Sequence, residues 1–169
     1  MDQRPGEMTR DQFLAAFGGV YEHSPWIAAA VFDSGLLPEH DFAAGLHFWM
    51  SRTMRGAEHE AQLALIKAHP DLAGRLARAG ELTAASTAEQ RGAGLDQCSQ
   101  DELDRFMALN DVYRERFGFP FIMAVKGRAR AQILEAFERR VDNDQATEFR
   151  TALDEVDKIA LLRLAAMLP

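Results

Sequence analysis

The sequence predicts an all-α protein: a single compact domain, residues 1–169, of about eight helices. Three observations point there. Apolar residues recur at helical spacing along nearly the whole chain. Capping signals bracket the periodic stretches. No convincing run alternates apolar and polar residues as a half-buried strand does. The 169 residues suffice for one sizeable core. No repeat, low-complexity segment or long linker interrupts them.

The elements follow in order. Thr9 and Gln12 can form a capping box ahead of Phe13, Leu14 and Phe17. Ser24-Pro25 supplies a cap and a first-turn proline before Trp26 to Phe32, and Gly35 stops that helix. Asp41 to Met54 is rich in Phe, Leu, Trp and Met. Glu58 to Ala68 is strongly helical by propensity. Leu72 to Ala79 reads as a short helix capped by Asp71, with Gly80 past its end. Ser86 starts another short helix. Ser99 with Glu102 forms a second capping box, and that helix runs to Phe117 with Gly118 as its stop. Ala129 to Val141 and Gln145 to Leu168 complete the set.

Two segments break the pattern. A residue before proline is pushed out of the α region, so His69, preceding Pro70, belongs at or just beyond a helix end. Phe119 to Val125 is apolar, contains Pro120 and lies between Gly118 and Gly127. Such an irregular stretch must still satisfy its backbone N–H and C=O groups, and in a helical protein it often lines a cavity where those groups meet a ligand.

Composition excludes several classes of function. Apolar residues make up 47% and charged residues 27%, a globular mix. The net charge of −7 does not draw the chain to nucleic acid or an anionic membrane. Cys98 is alone, so no internal disulfide forms. No apolar run approaches the ~20 residues of a membrane span. Neither a signal peptide nor a peroxisomal address is read at the ends, which makes the cytoplasm the expected compartment.

Five histidines are candidates for chemistry. His59-Glu60 begins like a zinc-protease motif, but Leu63 stands where the second histidine is needed, and no other spacing makes a metal site. His69 differs by its setting, at a helix break beside a rigid proline. Two readings are open for Glu89. Ser86-Thr87-Ala88-Glu89 is a capping box, which by itself explains both end residues; alternatively Glu89 and Gln90 face a pocket for a urea-like ligand. Arg163 shares a helical face with Phe149, Leu153, Val156, Ala160, Leu164 and Met167, so it points inward. A buried guanidinium needs a partner: an internal carboxylate, or a carboxylate-bearing substrate held in a bidentate fork. Lys126, Arg128 and Arg130 read as a solvated helix start. Cys98 has no histidine at motif spacing to activate it.

Taken together, Ala68-His69-Pro70-Asp71-Leu72, Ser86-Thr87-Ala88-Glu89-Gln90 with Ala93-Gly94-Leu95-Asp96, and Phe117-Gly118-Phe119-Pro120-Phe121-Ile122 resemble one family. So do Val125-Lys126-Gly127 ahead of Ile133-Leu134, and Leu153-Asp154-Glu155-Val156 with Lys158-Ile159-Ala160 and Arg163-Leu164. The family is the 2-oxo-4-hydroxy-4-carboxy-5-ureidoimidazoline (OHCU) decarboxylases of urate degradation. The resemblance covers nearly the whole chain, in order.

It implies a mostly helical homodimer that works without metal or organic cofactor and forms (S)-allantoin from the small molecule OHCU. By motif, the catalytic histidine falls on His69, with Glu89 beside it. Substrate-binding positions fall on Pro70, Ser86, Gln90, Phe119, Phe121, Ile122 and Met123, and by helical periodicity on Arg163. The rival expectations are a related lyase or hydrolase acting on another ureido or imide ring, and a non-catalytic helical interaction module.

Overall fold

The computed structural model describes residues 3–72 and 99–169. Among them are seven α-helices and no strand, in keeping with the helical class expected. In chain order the helices are α1 (Arg10–Phe17), α2 (Pro25–Asp33), α3 (Ala43–Arg55), α4 (His59–Ala68), α5 (Gln100–Phe117), α6 (Arg130–Val141) and α7 (Gln145–Ala165). Short 3-10 turns occupy Pro5–Glu7 and Pro38–Asp41. The helices expected from Leu72 and from Ser86 lie, beyond Leu72 itself, outside the described residues.

The local signals act as the sequence suggests, with one exception. Thr9 caps α1 through the Gln12 N–H, while the Gln12 side chain accepts the Thr9 N–H at 2.8 Å. Ser99 and Glu102 form the same reciprocal pair at the start of α5, at 3.2 and 2.9 Å. Gly118 ends α5 in the left-handed region, at φ 74°, where a residue without Cβ is least strained. Ser24 sits at the N-cap of α2, but its side chain makes no capping bond. Pro25 presets the first turn there instead.

The chain packs as two compact units. The first comprises Met1–Ala68 with Val156–Pro169, and the second His69–Glu155; α7 runs through that boundary. The first unit buries Phe13 and Phe17 of α1, Ile27 and Val31 of α2, and Leu65 and Ile66 of α4. Helix α3 adds Leu46, Met50 and Met54, one residue per turn on one face, whereas Phe48 on another face is exposed. From α7 come Val156, Ala160 and Leu164, the inward stripe expected from spacing. Burying each of these side chains other than that of Ala160 contributes about 1.5–3 kcal/mol.

The second unit is built on aromatic rings. Tyr113 of α5 meets Phe117, Phe121 and Phe137 at centroid distances of 4.6, 5.4 and 5.6 Å, and Phe121 stacks on Phe137 at 3.8 Å. Ile133 and Leu153 are also buried in this unit.

Candidate active site

Helix α4 ends at Ala68, so His69 lies immediately beyond the helix and before Pro70, as the proline dictates. The histidine is only 4% exposed. Two residues on, the Asp71 carboxylate accepts a hydrogen bond from Arg114 Nη1 at 3.1 Å, which ties the turn after His69 to α5. The helix that Asp71 was expected to cap is outside the described residues, as are Ser86, Glu89, Gln90 and Cys98.

Phe119 to Val125 is irregular, as expected, and buried throughout. The rings of Phe119 and Phe121 are committed to the aromatic core. The backbone is held by two buried side chains. Arg140 Nη1 donates to the Ile122 carbonyl at 2.7 Å, and the Ala124 N–H donates to Glu155 Oε2 at 2.8 Å. The segment closes with a turn in which Arg128 N–H donates to the Val125 carbonyl, with Gly127 at φ 78°. Of the three basic residues expected at a solvated helix start, Lys126 and Arg128 are exposed, although Arg128 Nε also donates to the Ala124 carbonyl at 3.2 Å. Arg130 is instead half-buried, its Nε 3.7 Å from Glu102 Oε1.

Arg140 is fixed in turn. Its Nε and Nη2 donate to Glu148 Oε1 at 2.9 and 2.6 Å, and its guanidinium lies over the Phe121 ring, 4.4 Å from the centroid. Tyr113 also donates to Glu148 Oε1, and Asn143 Nδ2 donates to Oε2 at 2.7 Å. Burial first, then the hydrogen bond to Glu148, pushes the Tyr113 hydroxyl well above its ordinary range, with Arg140 opposing.

His69, Pro70 and Phe119 to Met123 therefore share the second unit, whereas Arg163 belongs to the first. Arg163 points inward, as its helical face requires, and has found an internal carboxylate. Its Nη1 lies 2.8 Å from Glu22 Oε2 and donates to the Val20 carbonyl at 3.1 Å.

The first unit holds one more buried polar cluster, which sequence reasoning missed. Asp157 accepts Tyr21 Oη at 2.6 Å, Ser51 Oγ at 2.7 Å and Arg55 Nη2 at 3.1 Å, and His47 Nε2 stands 3.2 Å from its Oδ1. Burial pushes the Asp157 carboxyl upward, but these donors outweigh it and hold the group far below the ordinary carboxylate range. Desolvation and the bond to Asp157 raise Tyr21, and the Asp157 carboxylate raises His47. Glu148, Glu155 and Asp157 were also missed as buried acids. The available signal was their register: Glu148 and Glu155 share one helical stripe with Ala152 and Ile159, and Asp157 shares another with Leu153, Ala160 and Leu164, each stripe apolar except for the acids.

Among the described residues, no three His, Cys, Asp or Glu side chains group to share a metal ion. Nor is any described helix long and apolar enough to cross a membrane.

The family model described as OHCU decarboxylase matches residues 6–165. The chain belongs to the OHCU decarboxylase family. A family member from Haloferax volcanii, 2-oxo-4-hydroxy-4-carboxy-5-ureidoimidazoline decarboxylase, is 48% identical over 163 residues, covering 96% of this chain and 93% of the relative. Among solved structures, (S)-allantoin synthase aligns with TM-score 0.76 and 29% identity, over 97% of this chain and 52% of that one. A second, OHCU decarboxylase in the presence of (S)-allantoin, shares the fold with TM-score 0.69 over 95% of this chain and 98% of that one, at 22% identity.

Proposed function

We propose that this protein decarboxylates OHCU to (S)-allantoin in urate degradation, with His69 as general acid/base and no metal or organic cofactor. The observation that carries the reading is the length-wide family match, 6–165, with a relative of that name 48% identical. The buried placement of His69 at a proline-fixed helix end supports its assigned role.

The chemistry sets what the site must do. OHCU carries a carboxylate and a hydroxyl on one ring carbon. When CO₂ leaves, the bonding pair stays on that carbon and spreads into the adjacent C=N, and a proton must then arrive on one face. A histidine titrates near neutral pH and can take and return a proton. In this reading His69 shares the hydroxyl proton and guides protonation to the face that gives the S product. Glu89 bonds His69 or the ureido N–H groups. Gln90, with Ser86 and Pro70 alongside, reads the ring together with backbone N–H groups near Ile122 and Met123. Because the Phe119 and Phe121 rings are core, these two residues act through the backbone they anchor and by keeping the site dry, which strengthens each polar contact. Arg163 orients an anionic group of the substrate. The protein works as a cytoplasmic homodimer.

The test generates OHCU freshly from urate, adds the purified protein and follows circular dichroism. The expected result is rapid appearance of (S)-allantoin. Racemic allantoin, formed no faster than without protein, overturns the proposal.

A further inference from the structure

We infer that Arg140 and Glu155 are positioning residues for the reaction: a two-point clamp that sets the backbone of Phe121 to Ala124 for substrate. The inference rests on the reading of that segment as substrate-binding. It gives a role to two residues that had none above: Arg140 lies outside every motif carrying the resemblance, and Glu155 lies within the Leu153-Asp154-Glu155-Val156 motif without an assigned role.

The segment has no helix or sheet ladder to define it, so its geometry depends on what its backbone groups are bonded to. Arg140 fixes the Ile122 carbonyl at 2.7 Å. Glu155 fixes the Ala124 N–H at 2.8 Å. One anchor holds an acceptor and the other a donor, two residues apart, so together they set both the position of the stretch and its rotation about its own axis. The two anchors hold the two peptide groups that flank the Met123 Cα.

Arg140 is itself immobilised. Its other two nitrogens, Nε and Nη2, donate to Glu148, which Tyr113 and Asn143 hold from α5 and from the turn after α6. A buried guanidinium and carboxylate are costly to desolvate, and an apolar pair of similar size is often no less stable. Stability alone is therefore a weak reason for this pair. Its geometric product is a fixed carbonyl at Ile122 and a fixed ring at Phe121, over which the guanidinium lies. Misplacement of a binding group by about 1 Å can cost on the order of 10²-fold in rate, so a segment that reads substrate through its backbone needs such an anchor.

The experiment uses full-length protein and freshly generated OHCU, with Arg140→Lys and Glu155→Gln measured beside the unaltered protein. Lysine keeps the charge but loses the planar fork that serves Glu148 and Ile122 together. Glutamine keeps the shape of Glu155 and an oxygen for the Ala124 N–H, leaves the Arg140 pair untouched, and so remains informative where Arg140→Lys does not fold. Thermal melts establish that each variant is folded at assay temperature. A merely structural role lowers the active fraction, which lowers kcat and leaves KM unchanged. The clamp predicts instead that KM rises about tenfold or more in Arg140→Lys and by a smaller factor in Glu155→Gln. Unchanged KM in the folded variants, with wild-type turnover intact, overturns the clamp alone. Absence of wild-type turnover overturns the functional reading, and the clamp with it.

Discussion

The His47 imidazole Nε2 donates to the Asp157 backbone carbonyl at 3.1 Å and stands 3.2 Å from the same residue's carboxylate. The carboxylate raises the pKa of His47 on folding. A raised folded-state value means that the folded protein binds this proton more tightly than the unfolded chain. The contribution to stability is full below the ordinary histidine value of 6.5 and is lost as pH rises through the folded value. Tyr21, Ser51 and Arg55, which also face Asp157, do not reverse that sign. His47→Gln is therefore expected to lower Tm most at about pH 6, with the gap to wild type narrowing toward about pH 9. Melts across that range check this; a gap independent of pH shows that the proton contributes nothing.

His69→Asn keeps a polar side chain before Pro70 but cannot exchange a proton near neutrality. It is expected to lose about 10²- to 10⁴-fold in turnover of OHCU while melting close to wild type. Initial rates by circular dichroism, with melts alongside, measure both. Near-wild-type turnover removes His69 from the chemistry.

For Glu89 the capping and catalytic readings separate in one variant. Glu89→Gln leaves Ser86 able to cap and leaves an amide in place of the carboxylate. Activity is expected to fall far more than Tm. A large loss of Tm with unchanged turnover assigns Glu89 to the cap.

The parts of the fold legible in the sequence were those with local causes. Thr9 and Gln12, or Ser99 and Glu102, need only each other, and Gly118 needs only its own φ. His69 was placed by its neighbour Pro70, and Phe119 to Val125 by its own proline and flanking glycines. What escaped were side chains whose partners are remote along the chain. Tyr21 and Asp157 are 136 positions apart, and Ala124 and Glu155 are 31 apart. Periodicity shows that Glu155 faces inward but not which N–H it meets. It also placed Arg163 correctly while leaving its carboxylate unnamed; the structure supplies Glu22. For Phe119 and Phe121, composition showed apolar character, but only packing shows both rings spent on the core.

Two glycines separate backbone strain from steric collision. A Cβ at Gly45 would lie 2.0 Å from the Glu39 carbonyl oxygen and 2.7 Å from its carbon, so the turn before α3 would have to move. At Gly118 a Cβ would meet nothing within 4 Å, and only the left-handed φ of 74° opposes a side chain. Gly118→Ala is expected to cost about 1–2 kcal/mol, and Gly45→Ala more. Denaturant titration ranks them, and equal costs contradict the clash at Glu39.

Arg163 carries two expectations that a double-mutant cycle can pull apart. Its guanidinium and the Glu22 carboxylate are 10% and 2% exposed, so removing either ion strands the other. Arg163→Gln and Glu22→Gln are each expected to cost about 3–5 kcal/mol, and the double variant much less than their sum. Urea titration measures this coupling, and simple additivity rules out a pair that matters. The binding role is read separately, in KM. With both ions replaced by amides, the double variant lacks the stranded charge but also lacks any fork for an anionic substrate group. Its KM for OHCU is expected to stay raised by about tenfold, since a charge-assisted bidentate contact is worth more than a neutral one. A double variant that recovers both stability and KM restricts Arg163 to its pairing with Glu22.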